Sequence, residues 1–76
     1  MDKLKQLIGV EFKDSKELEK KILKLLRIKN INIYNNFEDL SILYKNTEYY
    51  ITIQKVKNSV KVVDIIIIPL NNYNII

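Results

Sequence analysis

Apolar residues recur with helical spacing in the first 30 residues and with strand spacing afterwards. At the start of the chain, Leu4, Leu7 and Ile8 have the spacing of one helix face, which predicts a short helix over residues 2–8. Gly9, the only glycine, stands where such a helix would end in a left-handed conformation.

A second and longer helix is the clearest element in the sequence. Asp14 and Glu17 have the spacing of a capping box, and good helix formers follow them as far as Arg27. At 100° per residue, four apolar side chains lie within an arc of about 100°, the stripe of a helix packed on a core. They are Leu18, Ile22, Leu25 and Leu26.

After Asn30 the apolar period changes to two, which indicates strands. Alternating runs occupy residues 31–34, 40–44 and 49–54, and a further apolar run follows at 60–68. Polar triplets at 45–47 and 57–59, each centred on asparagine, predict hairpin turns. We therefore expect a single α+β domain over residues 1–76, with one short and one longer N-terminal helix packed on a three- to four-stranded antiparallel β-meander.

The last apolar run contains four consecutive isoleucines, Ile65, Ile66, Ile67 and Ile68. Successive strand residues point to opposite faces, so each face of the sheet receives two of them, and one helix layer covers only one face. The other face needs a cover, either a second copy or partner protein, or the tail from Leu70 to Ile76 with its Tyr73, Ile75 and Ile76. These four isoleucines are the candidate partner-binding residues.

The composition excludes most enzyme classes. The chain has no cysteine and no histidine, which removes disulfides, thiolate nucleophiles, ordinary zinc sites and a histidine base. The acidic residues Glu38, Asp39 and Asp64 form no recognised metal motif, and no phosphate-binding glycine loop is present. We expect a non-enzymatic protein that uses no cofactor, no metal and no small-molecule substrate.

The charge is mildly basic, at +4 with a pI near 9.3. Two groups of cations carry it: one row on the longer helix and one around the last hairpin, and whether they share a face is open. The first comprises Lys16, Lys20, Lys24 and Arg27, and the second Lys55, Lys57 and Lys61. Lysines without base-reading groups predict weak, sequence-independent binding to nucleic acid, or steering towards acidic protein groups.

The sequence contains no apolar run of membrane-spanning length and no signal-peptide pattern at its start, which predicts a cytoplasmic protein with no membrane partner. The leading hypothesis is a protein-binding module that self-associates or docks on a larger partner. Small size and AT-rich codon usage (14 Ile, 12 Lys and 9 Asn) also suit an accessory or inhibitor protein of a virus or mobile element, such as an anti-defence factor. The alternative is a small basic nucleic-acid-binding protein that uses the two lysine groups.

Overall fold

The computed structural model describes residues 3–36 and 38–70. One α-helix and a five-stranded antiparallel sheet confirm the α+β class. The elements in chain order are a 3-10 helix at Lys3–Leu7, β1 at Glu11–Phe12, α1 at Ser15–Leu26, β2 at Ile33–Asn35, β3 at Asp39–Tyr44, β4 at Thr47–Val56 and β5 at Ser59–Pro69. The sheet therefore has more strands than the three to four predicted, and the shorter of the two predicted helices is a 3-10 helix.

The sheet has the strand order β1-β5-β4-β3-β2, and all neighbours are antiparallel. Strands β2 to β5 form the expected meander, since each pairs with the next along the chain. The additional strand β1 has only two residues and adds to the far side of β5, where Phe12 lies opposite Val60. Two residues are too few to show an alternating pattern, so nothing in the sequence indicated this strand.

The predicted first helix is a 3-10 helix of five residues. Leu4 and Leu7 are buried in the core, whereas Ile8, which shares their helical spacing, is largely exposed. Spacing of three is the period of a 3-10 helix, and a segment this short gains too little to propagate an α-helix. Gly9 follows at φ 89°, which confirms its left-handed conformation. Its N–H donates to the Val62 carbonyl at 2.7 Å, which joins this turn to β5.

Helix α1 begins as the sequence predicts. The Asp14 carboxylate accepts from the Glu17 N–H at 2.9 Å. The Glu17 carboxylate in turn accepts from the Lys13 N–H at 2.9 Å, one residue before the position in a standard capping box. Leu18 and Ile22 are fully buried, and Leu25 and Leu26 pack at the edge of the core, which confirms the predicted apolar stripe.

The helix ends at Arg27 in a Schellman arrangement. The Arg27 N–H donates to the Lys24 carbonyl at 3.2 Å, and the Ile28 N–H donates to the Leu23 carbonyl at 3.1 Å. This geometry requires a left-handed residue, and Arg27 adopts it at φ 59° and ψ 44°, where glycine is the usual choice. The backbone of Arg27 is therefore strained.

The core lies between the sheet and the layer formed by α1 and the 3-10 helix. Its strand residues alternate along β3 and β4 as predicted, with Ile51 and Ile53 of β4 facing the helix and Tyr50 facing away. Both predicted hairpin turns are present, with two-residue loops at 45–46 and 57–58. Lys45 and Asn46 both have positive φ, of 51° and 55°, which matches the type I′ turn that the right-handed strand twist favours.

Candidate functional site

A β-bulge in β5 decides which isoleucines face the core. Thr52 of β4 lies opposite Asp64, but the next residue, Ile53, lies opposite Val62, so Val63 has no partner in the ladder. Before this extra residue the even-numbered positions of β5 point to the helix, and after it the odd-numbered positions do. The bulge is invisible in the sequence because neither strand contains a glycine or proline near it.

The four isoleucines therefore divide between the two faces. Ile65 is 2% exposed and Ile67 packs against the core from its edge. Ile66 is 50% exposed and Ile68 is half-buried, and their side chains project from the opposite face of the sheet. The candidate partner-binding strand thus offers Ile66 and Ile68 to a partner, while Ile65 and Ile67 belong to the fold.

The face that carries Ile66 and Ile68 has an apolar or aromatic side chain on each of four strands, with polar side chains between them, and we call it the open face. One cross-strand row runs from Tyr34 of β2 through Ser41 and Tyr50 to Ile66 of β5. Tyr34 is 70% exposed, and Leu43, in the neighbouring row, is 58% exposed. Within residues 3–36 and 38–70, no helix or loop lies over this face, since α1 and the 3-10 helix both contribute to the core on the other side. The predicted cover by the tail falls on residues 71–76, outside the described part of the chain.

Leu43 was not identified in the sequence as an exposed apolar residue. It lies between Ile42 and Tyr44, at a position of the alternating pattern that faces solvent and usually holds a polar residue. That break in alternation is the signal that could have found it. Leu43 lies opposite Glu48, which in turn lies opposite Ile68.

Three carboxylates lie among and beside the apolar residues on the open face, and one of them, Glu48, stands between Leu43 and Ile68. Asp39 and Asp64 lie opposite Thr52 from the two neighbouring strands, and Glu48 is two residues from Tyr50 on the same face. A hydrogen bond to the Glu48 carboxylate, with smaller contributions from desolvation and the negative charges of Glu48 and Asp39, raises the pKa of the Tyr50 hydroxyl above its usual value near 10. The open face therefore combines apolar side chains with three negatively charged carboxylates.

The cations of the longer helix lie in the other layer. Lys16, Lys20 and Lys24 are exposed along α1, and the structure gives them no ion pair among the described residues. The Glu17 carboxylate, a local partner for the helix lysines by spacing, instead accepts from the Lys13 backbone. Arg27 is exposed but stands beyond the last helical residue as its left-handed cap. It therefore does not continue the regular lysine row.

The second group of cations does not form one patch, contrary to the prediction. Lys55 lies opposite Val60 on the helix side of the sheet, whereas Lys61 lies opposite Gln54 on the open-face side. Side chains alternate along each strand, and the cross-strand register fixes these two on opposite faces. Lys55 and Lys57 instead join Lys13 around a shallow cavity beside the first turn of α1, which Asp14 and Ser15 also line. Apart from Lys61, the lysines of both groups thus lie on the helix side of the sheet.

The two tyrosines of the open face are separated by the sheet from the lysines of α1 and from Lys55. Tyr34 and Tyr50 lie on the open face, whereas Tyr49 is buried in the core and Tyr44 lies on the helix side, with the Lys45 ammonium 5.4 Å from its ring centroid. A platform that stacks bases needs aromatic rings and cations on one surface. Tyr34 and Tyr50 have carboxylates beside them instead, so the arrangement does not provide that platform.

Among the described residues, no group of three or more acidic side chains has the arrangement of a metal site, although Asp39, Glu48 and Asp64 share a face. The same part of the chain contains no helix of the length and apolarity required to cross a membrane. No protein-family model, curated protein or solved structure matches the chain.

Proposed function

We propose that this protein is a non-enzymatic binding module that docks on another protein through the open face. The observation that carries the proposal is a set of apolar and aromatic side chains, each at least partly exposed, on four neighbouring strands of a sheet face that no described element covers: Tyr34, Leu43, Tyr50, Ile66 and Ile68. Fully burying an isoleucine is worth roughly 1.5–3 kcal/mol, so apolar side chains left on the surface of a small domain forgo stability. Several such side chains on one face of a sheet mark an interaction surface.

A module of this kind acts by occupying a surface of its partner, and its sequence contains neither a cysteine nucleophile nor a histidine base. That mode of action suits an accessory or inhibitor protein, including one encoded by a virus or mobile element. Self-association through the same isoleucines is the second form of the proposal, and light scattering at increasing concentration measures it directly. A dimer that Ile66→Ser abolishes would assign the open face to a second copy.

The test uses peptides selected from a randomised display library on the immobilised full chain. We expect recovered peptides to bind the wild type and to lose most of their affinity for Ile66→Ser. Ile8→Ser is the matched control, because Ile8 is a similarly exposed isoleucine that lies outside the sheet. Peptides that bind Ile66→Ser as well as wild type, or that are sensitive only to Ile8→Ser, would contradict the proposal.

A second candidate function, binding to nucleic acid, is supported by the helix side of the molecule. Lys16, Lys20 and Lys24 are like charges one turn apart, and such neighbours repel by a few tenths of a kcal/mol per pair. Phosphates would relieve this repulsion. About four phosphate contacts predict a log–log salt slope near −3.6 on duplex DNA. A complex that is insensitive to salt, or that survives Lys20→Gln combined with Lys24→Gln, would exclude this mode.

A further inference from the structure

The open face carries charge of the opposite sign to the molecule as a whole. The chain has a net charge of +4, yet the charged residues closest to Tyr50 and Ile66 in the strand register are all acidic. They are Asp39, Glu48 and Asp64. Lys61 also has a strand position on this face, but it lies toward the other end of β5. Its partners across the sheet are Gln54 of β4 and the acidic Glu11 of β1. The exposed lysines of α1 lie in the other layer. The two sides of the sheet therefore present opposite electrostatic signs.

This separation argues against pairing of two open faces. Face-to-face association of two copies would bring three carboxylates of one protomer near three of the other, and like charges across an interface oppose association. A ligand whose cations alternate with apolar side chains would instead place its apolar groups on Ile66, Leu43 and Tyr50 and its cations beside the carboxylates. The same arrangement disfavours phosphate groups at this face.

We infer that the open face binds a protein segment that combines Lys or Arg with apolar residues. This inference rests on the proposed docking function and adds the chemistry of the partner. The position of Glu48 supports it, because this carboxylate lies between Leu43 and Ile68 on the open face. The Asp64 carboxylate accepts from the Ile65 N–H at 2.9 Å, and this hydrogen bond holds it in place.

The composition of the selected peptides tests the inference. Non-specific attraction to a protein of net charge +4 enriches acidic peptides, so enrichment of Lys and Arg in peptides that need Ile66 is a specific outcome. We expect the recovered peptides to bind about tenfold more weakly to a variant that combines Asp39→Asn, Glu48→Gln and Asp64→Asn. Each amide keeps the size of the carboxylate and one of its two acceptor oxygens. Glu19→Gln, which removes an acidic charge from α1, is the control and should leave the affinity unchanged.

The outcomes separate this inference from the proposed function. Peptides that require Ile66 but are neutral or acidic, or that bind the triple amide variant with full affinity, would overturn the cationic partner and leave the docking face in place. Peptides that do not require Ile66 would overturn both. A stable dimer lost in Ile66→Ser would replace the cationic partner by a second copy of the chain.

Discussion

Two adjacent isoleucines, Ile65 and Ile66, should respond very differently to the same substitution. Ile65 is 2% exposed, so Ile65→Ala removes a fully buried side chain and should cost about 2–5 kcal/mol of the free energy of unfolding. Ile66 is 50% exposed, and half the burial of an isoleucine is worth about 1 kcal/mol, so Ile66→Ala should cost about that much. The difference follows from the bulge opposite Thr52 and Ile53, since without it the even-numbered isoleucines would face the core.

Equilibrium urea unfolding, followed by circular dichroism, measures both losses. With a slope of about 1 kcal/mol per molar urea for a small domain, the midpoint should fall by about 1 M for Ile66→Ala and by two or more for Ile65→Ala. A domain of this size has a total free energy of unfolding of about 4–11 kcal/mol, so Ile65→Ala can unfold it completely. In that case Ile65→Val replaces the alanine variant, because its expected loss is only about 1 kcal/mol. Equal losses, or a larger loss for Ile66→Ala, would refute the assignment of the two faces.

Three further predictions concern local structure. Arg27→Gly should raise the free energy of unfolding by about 1 kcal/mol, because glycine adopts φ 59° without strain, and a lower melting temperature for this variant would contradict the Schellman cap. Asp14→Ala should cost about 1 kcal/mol through loss of the hydrogen bond to the Glu17 N–H, whereas Ser15→Ala should be nearly neutral in the same thermal melt. In a spectrophotometric titration, Tyr50 should ionise above the usual tyrosine range, and Glu48→Gln should remove most of the shift. Because the folded pKa of Tyr50 is raised, its contribution to stability is complete below about pH 10 and is lost as the pH rises through the folded value.

The sequence predicted the elements whose signals are local. The cap of α1 depends on Asp14 and Glu17, the hairpins on polar turns at 45–47 and 57–59, and the buried stripe of α1 on the helical spacing of Leu18 and Ile22; the structure confirms all of these. The type of the first helix could not be predicted, because a spacing of three between Leu4 and Leu7 fits both an α-helix and a 3-10 helix.

The features missed in the sequence depend on pairing between distant segments. Strand β1 exists because Phe12 meets Val60, and the separation of Lys55 from Lys61 follows from their partners across the hairpin. The open face itself was only half predicted. Two of the four isoleucines were expected on an uncovered face, but which two depends on the bulge, and the contribution of Leu43 and Tyr34 depends on the register of β2, β3 and β4.

The central claim is that this protein binds its partner through the open face. Amide chemical-shift mapping of the isotopically labelled full chain with a selected peptide tests it most directly. We predict the largest changes at Leu43, Tyr50 and Ile66, with small changes along α1. Changes confined to the lysines of α1, with the open face unaffected, would contradict the claim.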